Sequence, residues 1–232
     1  MTFATLFVLI ILSLVLLDLV IYWLSLRPSN QRDWVTYQSV MPSVKFDGDS
    51  VIIKDVRNFR YNKDESFKEN YEERTFDLGS MESVWFVVVP FGKWRGIAHT
   101  FLSFGFEGGK YISISAEIRR EKGEEFSPIL GMFRQFEFMY VIADEEDVIA
   151  LRSNIRGRKV HLYPVKTSKD RMRKLFVNIL KEANELLDRP KFYNTLNNSC
   201  SSVIARHINA VVPGRVPFNW RILAPGYSDR LA

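Results

Sequence analysis

The chain holds one thiol, and its neighbours suit that thiol to chemistry. Cys200 lies in NNSCSSVIARH. Asn197, Asn198 and Ser199 are all cap-forming residues, so a helix is expected to begin near Ser199 with Cys200 in its first turn. There the helix dipole and free N–H groups favour a thiolate and would also hold an oxyanion. The ordinary alternative is a buried cysteine acting as a small hydrophobe, and spacing alone does not separate the two.

A nucleophilic cysteine needs a base, and the base needs an orienting group. There are three histidines. His207 is on the same expected helix, about 10 Å along the axis from Cys200 and too far to serve it. His161 lies in the apolar strand KVHLYPV and reads as structural. His99 lies on the first strand of an expected hairpin, Ile97–Phe106 with Lys110–Ile118. On the second strand, Tyr111, Ser113, Ser115 and Glu117 alternate with Ile112, Ile114, Ala116 and Ile118, which makes one face polar. A strict Gly108-Gly109 loop sets Glu117 opposite Thr100, on the wrong face. One extra loop residue or a bulge sets it opposite His99. The simpler readings are a core histidine bonded to the backbone, and a Glu117 paired with nearby Arg119.

The elements that must position these groups are short strands followed by helices. Further strands are expected over Ser50–Tyr61, after the turn-like Asp47–Asp49, and over Ser83–Pro90, Phe136–Ala143 and Lys159–Val165. DEEDVIALRSN reads as a short helix. Met172, Leu175, Phe176, Ile179, Ala183, Leu186 and Leu187 fall at helical spacing, with Ser168 as N-cap and Pro190 as the stop. The second helix, from near Ser199, ends before Pro213-Gly214. The fold class is α+β with a mostly antiparallel sheet.

Residues Phe3 to Leu26 form an apolar run about 36 Å long as a helix, enough to cross a hydrocarbon core of roughly 30 Å. Tyr22 and Trp23 suit the lipid–water interface. No Lys or Arg precedes the run and LSLRPSN offers no clear cleavage site, so an uncleaved anchor is expected rather than a signal peptide. Asp18 inside the span is costly if charged and facing lipid, unless it meets the interface or another membrane protein. Arg27 and Arg32 follow the helix, which by charge alone places the main domain in the cytoplasm.

The chain has 232 residues, 47% apolar and 25% charged, an ordinary globular mix that excludes a disordered or low-complexity chain. With one cysteine, there is no disulfide framework within the chain and no zinc site of several thiolates. The 32 Lys and Arg against 27 Asp and Glu suit an anionic membrane surface or a phosphate-bearing ligand, but many ordinary proteins share that excess. There is no P-loop, dinucleotide fingerprint or HExxH. No cofactor, metal or nucleic-acid partner is expected.

WRGIAHTFLSFGFEGGKYISISAEIRREKGEEFSPILGMFRQFEFMYVIADEEDVIALR, followed by VHLYPV, RPKFYNTLNNSCSS and FNWRILAPGY, resembles the Lnb N-terminal periplasmic domain family. The likeness runs from near Arg27 almost to the end. It implies a fold like that of circularly permuted papain-like cysteine enzymes, with the histidine strand before the cysteine helix. It also implies lipoprotein N-acylation, the passage of an acyl chain from a phospholipid through a cysteine thioester to a lipoprotein N-terminal amine. The implied roles are Cys200 as nucleophile, His99 as base and then acid, and Glu117 as orienting group. The family usually reads Asn-Cys-Thr-Thr where this chain has Ser199-Cys200-Ser201-Ser202, and often Ser-Ile-Glu where it has Ser115-Ala116-Glu117.

On this reading residues 1–27 are a transmembrane anchor and 28–232 a catalytic domain. The resemblance puts that domain in the periplasm, at the bacterial inner membrane, against the charge argument. The expected partners are the membrane, a phospholipid acyl donor and a lipoprotein N-terminus, with a membrane protein as a further partner through Asp18. Two other readings stay open: a cysteine peptidase, amidase or lipid thioesterase with the same residues, and an anchored binding module with no activity.

Overall fold

Apolar alternation through the middle of the chain builds a curtain of strands, shown by a computed structural model that describes residues 2–231. Met1 and Ala232, the outermost residues of the two expected domains, lie outside the described residues. In chain order the strands are β1 (Ser43–Asp47), β2 (Ser50–Arg57), β3 (Arg60–Tyr61), β4 (Phe67–Lys68), β5 (Tyr71–Asp77), β6 (Met81–Pro90), β7 (Ala98–Phe106), β8 (Lys110–Arg119), β9 (Glu137–Ala143) and β10 (His161–Pro164). The main sheet runs β1-β2-β9-β8-β7-β6-β10, with β5 also on β2. Its pairs are antiparallel except for one parallel bridge between β2 and β9. β3 and β4 form a separate small hairpin.

The helices are α1 (Phe3–Ser25), α2 (Glu145–Ala150), α3 (Lys169–Asp188), α4 (Cys200–Val211) and α5 (Trp220–Leu223). α3 buries Met172, Leu175, Phe176, Ile179, Leu180, Ala183 and Leu186 against Phe104, Phe106 and the rest of one sheet face. Each such large apolar side chain contributes about 1.5–3 kcal/mol. Leu187, read as part of that stripe, faces outward instead. α4 covers the same sheet face through Val203 and Ile204. The opposite face packs Val87, Phe101, Met139 and Val141 under Val148 of α2. The central β9 is therefore buried along its whole length.

α1 is exposed except at half-buried Trp23, with a mean hydropathy of 2.9 over its most apolar window. Its end is tied to the folded domain. The Arg134 guanidinium lies 4.2 Å from the Trp23 ring centre and donates to the Trp23 carbonyl at 3.2 Å. Asn30 then donates to the carbonyls of Leu186 and Leu187 at 2.8 and 2.9 Å, fastening the chain after α1 to the end of α3.

Three expectations change. The strand expected over Ser50–Tyr61 is two, β2 and β3, because a bulge at Asp55 and the turn at Asn58–Phe59 carry Arg57 and Phe59 into a buried polar cluster. The short helix expected over DEEDVIALRSN is α-helical only from Glu145 to Ala150, and its last turn, Leu151–Ile155, is π-helical. The strand expected over Lys159–Val165 shortens to β10, an edge strand on which His161 is exposed rather than packed in apolar surroundings.

Candidate active site

The site begins with a helix start. Ser199 caps α4, and Ser202 bonds back to the Ser199 backbone N–H at 2.8 Å, so each hydroxyl satisfies an end of the first turn. Cys200 is the first helical residue, as expected, and is partly exposed. It lies beside His99 and Thr100 of β7. Burial pushes the thiol up, but the His99 imidazole and the polar groups of Thr100 outweigh it and hold the thiol below its ordinary value. His99 moves the other way. Burial lowers it, and the adjacent Cys200 and Glu117 raise it to about 9. A thiolate facing an imidazolium is the state these shifts favour.

The hairpin sets the other groups. β7 and β8 pair Leu102 with Ile114 and Phe106 with Lys110, which makes the loop Glu107–Gly109 one residue longer than Gly108-Gly109 alone. That extra residue gives the register in which Glu117 falls on the His99 side. Gly108 and Gly109 both adopt positive φ, the conformation that suits glycine in a tight loop.

Ser115 joins the two. Its Oγ lies 2.6 Å from His99 Nε2 and donates to Glu117 Oε1 at 2.9 Å, while Nε2 to Glu117 Oε1 is 3.5 Å. A hydroxyl has one proton. If Ser115 gives it to Glu117, it must accept from His99 Nε2–H. That assignment from the hydrogen-bond network leaves Nδ1 as the basic nitrogen for the thiol.

Arg152, on the π-helical turn, completes the group. It donates to Glu117 Oε1 at 3.3 Å and to the Val148 carbonyl at 2.8 Å, and lies 5.3 Å from the Phe101 ring centre. Burial raises the Glu117 carboxyl, but His99, Arg152 and Arg57 together hold it well below the usual carboxylate range. Deeper still, Asp147 takes two donors from Arg57 at 2.7–3.1 Å and the Phe59 N–H at 2.8 Å.

The structure thus brings Cys200, His99 and Glu117 together, and adds Ser115, Thr100 and Arg152. The polar alternation of β8 already placed Ser115 between Ser113 and Glu117. Nothing near Arg152 in the sequence marked it. Arg119 is not the partner of Glu117. It stacks on Trp34 at 4.3 Å and donates to the Gln38 and Ser39 carbonyls. His207 is buried, 2.7 Å from the Tyr140 hydroxyl and 2.9 Å from Glu182, in a polar cluster that braces α4 against α3 and β9. Asp18 is exposed on α1. Among the described residues no group of three or more His, Cys, Asp or Glu is placed to hold a metal ion.

Glu117→Gln tests the network directly. It removes the charge that sustains the imidazolium, so the pH midpoint for alkylation of Cys200 by iodoacetamide is expected to move upward. At neutral pH the alkylation rate is expected to fall about tenfold. A midpoint that does not move would detach Glu117 from the thiol.

These features define a class: an α+β domain on one apolar helix, with a helix-start thiol set against a histidine and a carboxylate on a hairpin. The chain matches the model of the Lnb N-terminal periplasmic domain over residues 67–226. It belongs to that family. The match starts later than the likeness read from Arg27, and it takes in His99, Ser115, Glu117, Arg152 and Cys200. A periplasmic-domain family and one apolar N-terminal helix fit a single-pass membrane protein. No curated protein and no solved structure matches the chain.

Proposed function

We propose that this protein is a membrane-anchored thiol acyltransferase that moves an acyl chain from a phospholipid to the N-terminal amine of a lipoprotein. The domain stands in the periplasm at the inner membrane, and its arrangement is that of a circularly permuted papain-like enzyme. The observation that carries the reading is the His99–Ser115–Glu117 chain set beside a helix-start thiol.

Two half-reactions follow. Cys200 thiolate attacks the ester carbonyl, and N–H groups of the first turn of α4 stabilise the oxyanion. The C–O bond breaks, His99 Nδ1 gives its proton to the leaving alcohol, and a lysolipid departs. A neutral amine then attacks the thioester. His99 takes the amine proton, the C–S bond breaks, and an amide and the thiolate remain.

A surface beside the membrane helix supports a lipid substrate. Ile129, Leu130 and Phe133 are 65%, 47% and 56% exposed, directly before the Arg134 that grips Trp23. Thr195 donates to the Pro128 carbonyl at 2.7 Å and so joins this loop to exposed Leu196, shortly before Cys200. An apolar patch continuous with the anchor gives lipid a dry approach to the thiol.

Incubation of the purified protein with phospholipid, followed by intact mass spectrometry, tests the first half-reaction. A hydroxylamine-labile adduct of fatty-acyl mass is expected in the wild type and not in Cys200→Ala. No adduct from a folded protein whose Cys200 still reacts with a thiol probe would turn the assignment toward a peptide substrate. No adduct and no thiol reactivity would leave a binding module.

A further inference from the structure

A cavity of about 520 Å³ lies between α4, the sheet and α3, within the size range of small-molecule sites. Phe86 and Leu102 form its floor, and Leu175, Ile204, Ile208 and Val211 its walls. Its polar groups are unevenly placed. Lys166, Arg171 and Arg215 line it, and no carboxylate does. Asp170, next to Arg171, is paired with Lys174 at 2.9 Å. Among the described residues none of the three cations has an ion-pair partner.

The three cations gather at one end. Asn198 donates to the Phe192 carbonyl at 3.0 Å, which closes the short loop between α3 and α4, and Glu182 of α3 meets Arg206 and His207 of α4 at 2.7 and 2.9 Å. The two helices are therefore antiparallel, and the start of α3, with Lys166 and Arg171, lies beside the end of α4 and Arg215. The other end is lined by Ser201 and Ile222, joined by a hydrogen bond and adjacent to Cys200. From Ser201 to Val211 the helix rises about 15 Å.

The geometry points to a second, non-reacting lipid site: the cavity holds the acyl chain of a single-chain anionic amphiphile, with its head group on Lys166, Arg171 and Arg215. The N-terminal N–H groups of α3 add to the positive end. The polarity excludes an acyl donor bound for transfer. A donor needs its ester carbonyl at Cys200, whereas this ligand has its head at the opposite end and its tail pointing toward the thiol. A carboxylate and a phosphate head group share this chemistry, and the test separates them.

The full chain, with Cys200→Ala so that no probe is consumed, is placed in phosphatidylcholine nanodiscs and photolabelled with a diazirine fatty acid. Label is expected on residues 201–216. Competition by palmitate assigns a carboxylate head group and competition by lysophosphatidate a phosphate. Monoacylglycerol, which is neutral, is expected to compete poorly. Arg171→Gln with Arg215→Gln is expected to lower labelling about tenfold at unchanged melting temperature. Ala205→Phe, which fills the cavity and keeps the charges, is expected to lower it as well. Label undiminished in the charge variant, or monoacylglycerol competing as well as the anions, would overturn the assignment. Because Cys200 is absent from the assay, either result is independent of acyl transfer.

Discussion

With His99 replaced by alanine, the proposed acyl transfer is expected to slow by about 10²- to 10⁴-fold, the range that a positioned general base and acid supplies. The pH profile should change with it. In the wild type the imidazolium persists up to about 9, so the rate falls as pH rises through that value and the leaving alcohol loses its proton donor. The thiol is held below its ordinary value, so the rate rises with pH through a range below that of a free cysteine. Without His99 the alkaline limb disappears and the thiol moves up, leaving less thiolate at neutral pH. Steady-state rates across pH for the two proteins measure both effects. The His99 side chain is only 18% exposed and pairs with Glu117, so the melting temperature is measured alongside to show that the variant is folded at the assay temperature. An unchanged rate in His99→Ala would remove the histidine from the mechanism.

The largest expected effect on stability belongs to a residue that touches neither thiol nor imidazole. Asp147→Ala is expected to cost about 3–5 kcal/mol, because it leaves Arg57 buried without its partner. Arg57 is 6% exposed and its charge is stabilised chiefly by Asp147, against burial that opposes it. For a domain of this size the loss corresponds to a drop in melting temperature of about 6–20 °C. Thermal unfolding of both proteins in one detergent measures it. Replacing the pair together, with Arg57→Met and Asp147→Leu, is expected to recover most of the loss, since no lone charge remains. A single variant that melts with the wild type would mean that water reaches Arg57.

The parts of the site that depend on local chemistry were legible in the sequence. Ser168 and Ser199 mark the starts of α3 and α4 because a hydroxyl before an apolar stripe has few better uses. The polar face of β8 followed from alternation alone. The hairpin register did not, because Glu107 reads equally well as the last strand residue or the first loop residue. β1 and β5 escaped notice for a related reason. Tyr71–Asp77 carries four charges, Glu72, Glu73, Arg74 and Asp77, and pairs only with β2, so its sequence carries little apolar signal. Arg152 was beyond reach for a different reason. It meets Glu117 only because a π-helical turn on one element packs over a strand that precedes it by more than thirty residues. No local pattern encodes such a meeting, and only the completed packing of β8 against α2 produces it.

Chains are made from the N-terminus, and here the order of the elements governs when the thiol becomes reactive. α1 precedes every strand in the chain. β7, β8 and the turn bearing Arg152 follow, so imidazole, hydroxyl, carboxylate and guanidinium can assemble while Cys200 is still to come. Until α4 docks, Cys200 is an unactivated thiol of ordinary acidity, about 8.5. On the proposed function, the thiol is thereby unreactive until the fold around it is complete, and reactivity arrives in a single late step, when α4 docks.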